Sequence, residues 1–86
     1  MSCWIPFQFN ICPNKELFVL PNIRDIEDCR IKCNIIGCAS ICYNPLSRLC
    51  HLNGDVVSKK NIMDMKDFQY TEPVKSKLFI LFKLCL

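Results

Sequence analysis

The stretch Asp25-Ile26-Glu27-Asp28-Cys29-Arg30-Ile31-Lys32-Cys33-Asn34-Ile35-Ile36-Gly37-Cys38 decides the fold of this chain. Cys29 and Cys33 are four apart, which puts both thiols on one face of a helix. Asp25 is a good N-cap, and Asp28 complements the positive end of the helix. Ile26, Cys29, Cys33 and Ile36 recur at helical spacing, which predicts a buried stripe. Arg30 and Lys32 are expected to point away from it. Gly37 fits the left-handed position that ends many helices, and Cys38 follows at once.

Working outward, residues 39–43 and 48–52 read as two strands, joined by the turn chemistry of Asn44-Pro45-Leu46-Ser47. With that turn, Tyr43 faces Arg48, Ile41 faces Cys50 and Ala39 faces Leu52. Ile41 and Cys50 then share one sheet face and Cys42 points to the other. Asn53-Gly54 predicts a tight hairpin into Val56-Val57, and residues 67–71 a closing strand stopped by Glu72-Pro73. Upstream, residues 4–11 alternate weakly, with Phe7, Phe9 and Ile11 on one face. Cys12-Pro13-Asn14 reads as a turn, and residues 17–20 as a short apolar strand ended by Pro21-Asn22. The expected fold class is α+β: a small disulfide-stapled domain with one α-helix packed on a curved antiparallel β-sheet.

At 86 residues the chain holds one domain at most. A core this small usually needs covalent or metal help, and eight cysteines supply it at the density of disulfide-stapled extracellular modules. With 51% hydrophobic and 22% charged residues the chain is globular rather than disordered. The net charge is +3, and Lys59-Lys60 is the only adjacent basic pair. It reads as a solvated loop, so no nucleic-acid partner is expected. The first dozen residues lack a basic n-region, and Pro6, Gln8 and Asn10 interrupt their apolar character, so they do not read as a signal peptide. The expectation is a fragment, or an incomplete gene model, of a larger secreted or membrane-anchored protein. Leu78-Phe79-Ile80-Leu81-Phe82 is closed by Lys83 and falls far short of the ~20 residues of a spanning helix. No membrane insertion by this segment is expected. The domain is drawn at residues 3–73, with an apolar tail at 74–86 that either closes the sheet or hangs outside it.

Several cysteine pairings are open at this point. If Cys29 and Cys50 share the helix–sheet interface, they can bridge helix to hairpin, with Cα atoms within about 7 Å. A short Cys33–Cys38 link is easy across the Gly37 turn. Cys3 and Cys85 sit near the two ends and could tie them. Cys12 and Cys42 remain, either paired on the opposite sheet face or with one of them free. Eight cysteines allow on the order of a hundred connectivities, so spacing alone selects none.

The run Asp25-Ile26-Glu27-Asp28-Cys29-Arg30-Ile31-Lys32-Cys33, then Gly37-Cys38-Ala39-Ser40-Ile41-Cys42-Tyr43-Asn44, then Leu49-Cys50-His51-Leu52, resembles the PAN/Apple family of plasminogen-type N-terminal modules and apple repeats. Phe68-Gln69-Tyr70 resembles the family's closing aromatic strand. The resemblance implies a curved antiparallel sheet under one helix and core bridges Cys29–Cys50 and Cys33–Cys38. It also implies, as in apple members, a third bridge joining the ends, for which Cys3 and Cys85 are candidates. Cys12 and Cys42 have no place in that common pattern. The family's members bind protein or carbohydrate ligands.

Other chemistries fit the residues less well. Cys29, Cys33, Cys38 and Cys42 could form an all-thiolate zinc set with His51 nearby, but zinc sites separate their ligand pairs by a longer stretch. Cys50 and His51 are adjacent, so in a strand they point to opposite faces and cannot converge as nucleophile and base. His51 is the only histidine and is expected at the surface. With only Gly37 and Gly54 there is no glycine-rich phosphate loop. Trp4, Tyr43, Phe68 and Tyr70 are expected in the core. Asn10-Ile11-Cys12 is at most a rare glycosylation acceptor. The reading is therefore a non-catalytic extracellular or cell-surface binding module without cofactor or metal. The alternatives are a structural spacer in a multidomain extracellular protein, or a small zinc module.

Overall fold

The structure, a computed structural model, describes residues 3–74. Five strands and one helix follow in the order β1 (Gln8–Pro13), β2 (Glu16–Leu20), α1 (Ile26–Ile36), β3 (Ser40–Asn44), β4 (Leu49–Asn53) and β5 (Ile62–Thr71). All pairings are antiparallel, in the spatial order β1-β5-β3-β4-β2. The molecule is an α+β domain with α1 packed across one face of the sheet, over β3 and β4.

The helix ends where its sequence says. Asp25 has extended backbone, and its carboxylate accepts the Asp28 N–H at 2.9 Å, which satisfies one of the free donors of the first turn. Gly37 takes φ 73° and donates to the Cys33 carbonyl at 2.8 Å; a side chain there would be strained. The buried stripe is shorter than expected. Cys29 and Cys33 are buried, Ile26 is half-buried, and Ile36 is 45% exposed. Arg30 does not point away: its guanidinium stacks 5.6 Å from the Trp4 ring centre and 5.0 Å from that of Phe7, and it pairs with Glu27. Cation–π attraction to two rings, on the order of 0.5–2 kcal/mol, offsets part of the cost of burying the guanidinium.

The β3–β4 hairpin keeps the expected faces in a different register. Tyr43 pairs with Cys50 and Ile41 with Leu52, and Asn44 joins the ladder opposite Leu49. The loop is residues 45–48. Asn44 Oδ1 accepts the Leu46 and Ser47 N–H groups, and Arg48 closes the loop at φ 61°. The shift is even, so no side chain changes face. Ile41, Tyr43, Cys50 and Leu52 lie under the helix with Ile23, Cys29, Cys33 and Cys38. Cys12, Cys42, Phe68 and Tyr70 form a second cluster on the far face.

Three other expectations change. Cys12 and Pro13 are in β1 rather than a turn, because β1 is an edge strand and an edge tolerates a missing N–H. Val56-Val57 forms no strand: both sides of β4 are taken, by β3 and β2. Asn61 gathers that loop instead, donating to the Val56 carbonyl at 2.9 Å and accepting the Ser58 N–H at 2.7 Å. The closing strand starts at Ile62, five residues earlier than expected. Its middle bulges at Asp67 (φ 70°) against Asn10 (φ 65°), where Asn10 Oδ1 accepts the Asp67 N–H at 2.9 Å.

Beyond β5 the chain pairs with the N-terminal segment. Ile5 N donates to the Glu72 carbonyl, Trp4 bridges to Pro73, and Val74 N donates to the Cys3 carbonyl at 2.7 Å. Cys85 and the tail from residue 75 lie outside the described residues, and the Cys3–Cys85 pairing with them.

Tyr43 anchors the connection before the helix. Its hydroxyl donates to the Ile23 carbonyl at 2.6 Å, and both residues are buried. Tyr43→Phe keeps the ring and leaves that carbonyl unpaired. The expected loss is about 1–3 kcal/mol in chemical denaturation; an unchanged midpoint would show that water replaces the hydroxyl.

Candidate functional site

The expected cysteine sites form three bridges among the described residues. Cys29 is bonded to Cys50 with Cα atoms 5.6 Å apart, Cys33 to Cys38 at 5.0 Å, and Cys12 to Cys42 at 6.2 Å. The first joins α1 to β4 and the second joins α1 to the turn that follows it, both within the helix-face core. The third joins β1 to β3 on the far face. The four thiols weighed as a zinc set are thus each held by a disulfide, in three different bridges. Among the described residues, no three His, Cys, Asp or Glu side chains come together as a metal cluster.

Among the described residues a concave surface lies on each face of the sheet. The first runs between the last turn of α1 and the edge strand β2, and encloses about 200 Å³. Leu52 and Leu20 form its floor, Phe18 one wall, and Ile35, Ile36 and Lys32 the other. The register explains the floor: Phe18 pairs with Leu52 and Leu20 with Cys50, so both β2 side chains project to the helix face. The apolar walls reach water, with Ile35 73%, Phe18 54% and Ile36 45% exposed. Single exposed apolar residues are ordinary, whereas these three are contiguous around one groove. Among the described residues no strand pairs with the outer side of β2.

The second cavity, of about 290 Å³, lies on the far face beside the Cys12–Cys42 bridge. Glu16, His51, Met63 and Met65 line it. His51 is not a surface residue: its side chain is 12% exposed, its ring meets Phe68 edge-on at 4.8 Å, and its Nδ1 lies 2.9 Å from the Glu16 carboxylate. Burial pulls its pKa below the ordinary imidazole value, and the Glu16 charge and hydrogen bond act against that shift. Nearby, the Tyr70 hydroxyl donates to Glu72 and accepts the Val57 N–H at 2.9 Å. Burial, then that carboxylate, pushes its pKa up, so it stays a neutral donor.

Sequence reasoning missed both surfaces. The groove needed the knowledge that β2 lies at a sheet edge next to the helix, which no local pattern carries. A faint signal existed in Ile35-Ile36, two large apolar residues in succession at a helix end, which cannot both face the core. No known protein family, curated protein or solved structure matches this chain.

Proposed function

We propose that this chain is a non-catalytic extracellular binding module of PAN/Apple type, whose ligand is a protein segment in extended conformation. The observation that carries the reading is the apolar groove lying directly against a strand edge that is unpaired among the described residues. An edge strand offers a row of backbone donors and acceptors to an incoming strand. A groove beside it selects alternate apolar side chains, the usual division of labour in strand addition. A carbohydrate needs convergent hydrogen-bonding groups, and the only polar side chain on this groove is Lys32, already near Asp28 at 3.7 Å. Three disulfides support an oxidising compartment. Among the described residues no helix is long and apolar enough to cross a membrane.

The test is an amide and methyl NMR titration of the oxidised chain with an end-blocked eight-residue peptide alternating leucine and threonine. A β-glucan hexasaccharide forms the parallel arm. Peptide shifts confined to β2 and to the Ile35 and Ile36 methyls are expected, with affinity falling at least tenfold in Ile35→Asn and Phe18→Thr. Both side chains are exposed, so these variants should fold. Shifts with the saccharide and none with the peptide would replace the protein ligand by a carbohydrate. Silence in both arms would favour the spacer.

A further inference from the structure

The far-face cavity plays no part in that docking surface, and its chemistry is of another kind. Met63 stands opposite Cys12 in the β1–β5 ladder, Cys12 is bonded to Cys42, and Cys42 stands opposite His51 in the β3–β4 ladder. Met63 and His51 therefore belong to one sheet face. Met65, two residues along the same strand, shares the face of Met63 at a spacing of roughly 6.5–7 Å. All three line the cavity. Methionine is often a core gap-filler, and Met65 does pack against the far-face cluster. Met63 does not fit that reading, being 39% exposed at the cavity.

The imidazole is held as a ligand is held. Its Nδ1 lies 2.9 Å from the Glu16 carboxylate, a contact that favours the neutral tautomer protonated at Nδ1, with the lone pair on Nε2. An outer carboxylate of this sort orients most metal-binding histidines. Nε2 has no polar partner among the described residues and is not sealed from solvent. Two thioethers and one imidazole make a soft donor set, suited to a monovalent soft cation and poorly suited to hard divalent ions. The neighbouring sulfurs of Cys12 and Cys42 are in a disulfide and offer no competing thiolate.

We propose that Met63, Met65 and His51 form a binding site for Cu(I), with Glu16 as the positioning residue of the imidazole. Ag(I), of the same charge and softness, is the redox-inert probe. The experiment titrates Ag(I) into the fully oxidised chain, with stoichiometry read by native mass spectrometry and methionine methyl shifts by ¹³C NMR. Cu(I) affinity is measured anaerobically by competition with a colorimetric chelator, using ascorbate rather than a thiol as reductant. One equivalent is expected, with the Met63 and Met65 methyls shifting and that of Met1, the chain's third methionine, unmoved. Met63→Leu/Met65→Leu preserves volume and should weaken binding at least tenfold without moving the denaturation midpoint. Glu16→Gln should weaken it less. No retained equivalent, equal retention by the double leucine variant, or equal shifts at all three methionines would overturn the site. So would Zn(II) binding as tightly as Ag(I).

Discussion

The Cys29→Ala/Cys50→Ala double variant is expected to lose about 3 kcal/mol or more of unfolding free energy and to release α1 from the sheet. The bridge spans a sequence separation of 21, for which loop closure in the unfolded chain accounts for roughly 3 kcal/mol. Both sulfurs are fully buried at the centre of the helix-face core, so their removal also leaves a void. Few other contacts hold the helix: Ile26 is half-buried, and Ile31, Ile35 and Ile36 face water. In a domain whose total stability is on the order of 5–15 kcal/mol, such a loss brings the chain near its folding threshold. Urea denaturation followed by far-UV circular dichroism measures it, the midpoint falling while the slope rises, because the denatured chain without the cross-link exposes more surface. An unchanged midpoint would show that Cys33–Cys38 and the apolar contacts suffice to dock α1.

The helix was legible in the sequence because its signals are local. Asp25 and Gly37 act within one turn of their own positions, and the structure uses both. The two faces of the β3–β4 hairpin were legible because alternation survives any even shift of register. The register itself was not: it depended on whether Asn44 sits in the turn or the strand. Asn44 does both, pairing with Leu49 while its side chain caps the loop. What remained hidden is non-local. Strand order decides that Val56-Val57 has no partner, that Pro13 is acceptable, and that Phe18 lies at an edge. Arg30 was misplaced because its partners, Trp4 and Phe7, arrive from more than twenty residues upstream. His51 was misplaced for the same reason, since Glu16 and Phe68 reach it from opposite directions along the chain.

The two faces of the sheet divide the work. The helix face is closed by the Cys29–Cys50 bridge through its middle and left open at the β2 edge, where the groove lies. The far face carries one bridge and a smaller cluster, with its cavity beside the disulfide. Neither surface is lined by the residues that make the core, apart from Leu52 beneath the groove and Cys12 beside the cavity. Substitutions in either surface are therefore expected to leave the staples undisturbed. This follows a general pattern, in which small disulfide-rich domains gain stability from cross-links and so leave apolar side chains free for recognition.

The Cys12→Ala/Cys42→Ala double variant tests whether cross-links or native packing set that stability. Its bridge has the longest separation of the three, 30 residues, and the chain-entropy relation gives between about 3 and 4 kcal/mol. It links β1 to β3, two strands separated in the sheet by β5. Among the described residues strand β1 ladders with β5 alone, and that ladder is broken at Asn10 and Asp67. Without the bridge, residues 11–13 and the first half of β5 should open first, seen as lost amide protection there while the β3–β4 hairpin stays protected. The Cys33→Ala/Cys38→Ala variant, with a separation of five, should lose least, roughly 2 kcal/mol on the same relation. Loop length thus predicts the order of losses Cys12–Cys42, then Cys29–Cys50, then Cys33–Cys38. Packing predicts a different order, with Cys29–Cys50 first because it alone docks the helix on the middle of the sheet. The first two values differ too little for loop length to separate them, so the third is decisive. If removing Cys33–Cys38 costs as much as either of the others, the entropic account fails for this fold, and the disulfides act chiefly through the native contacts they hold in place.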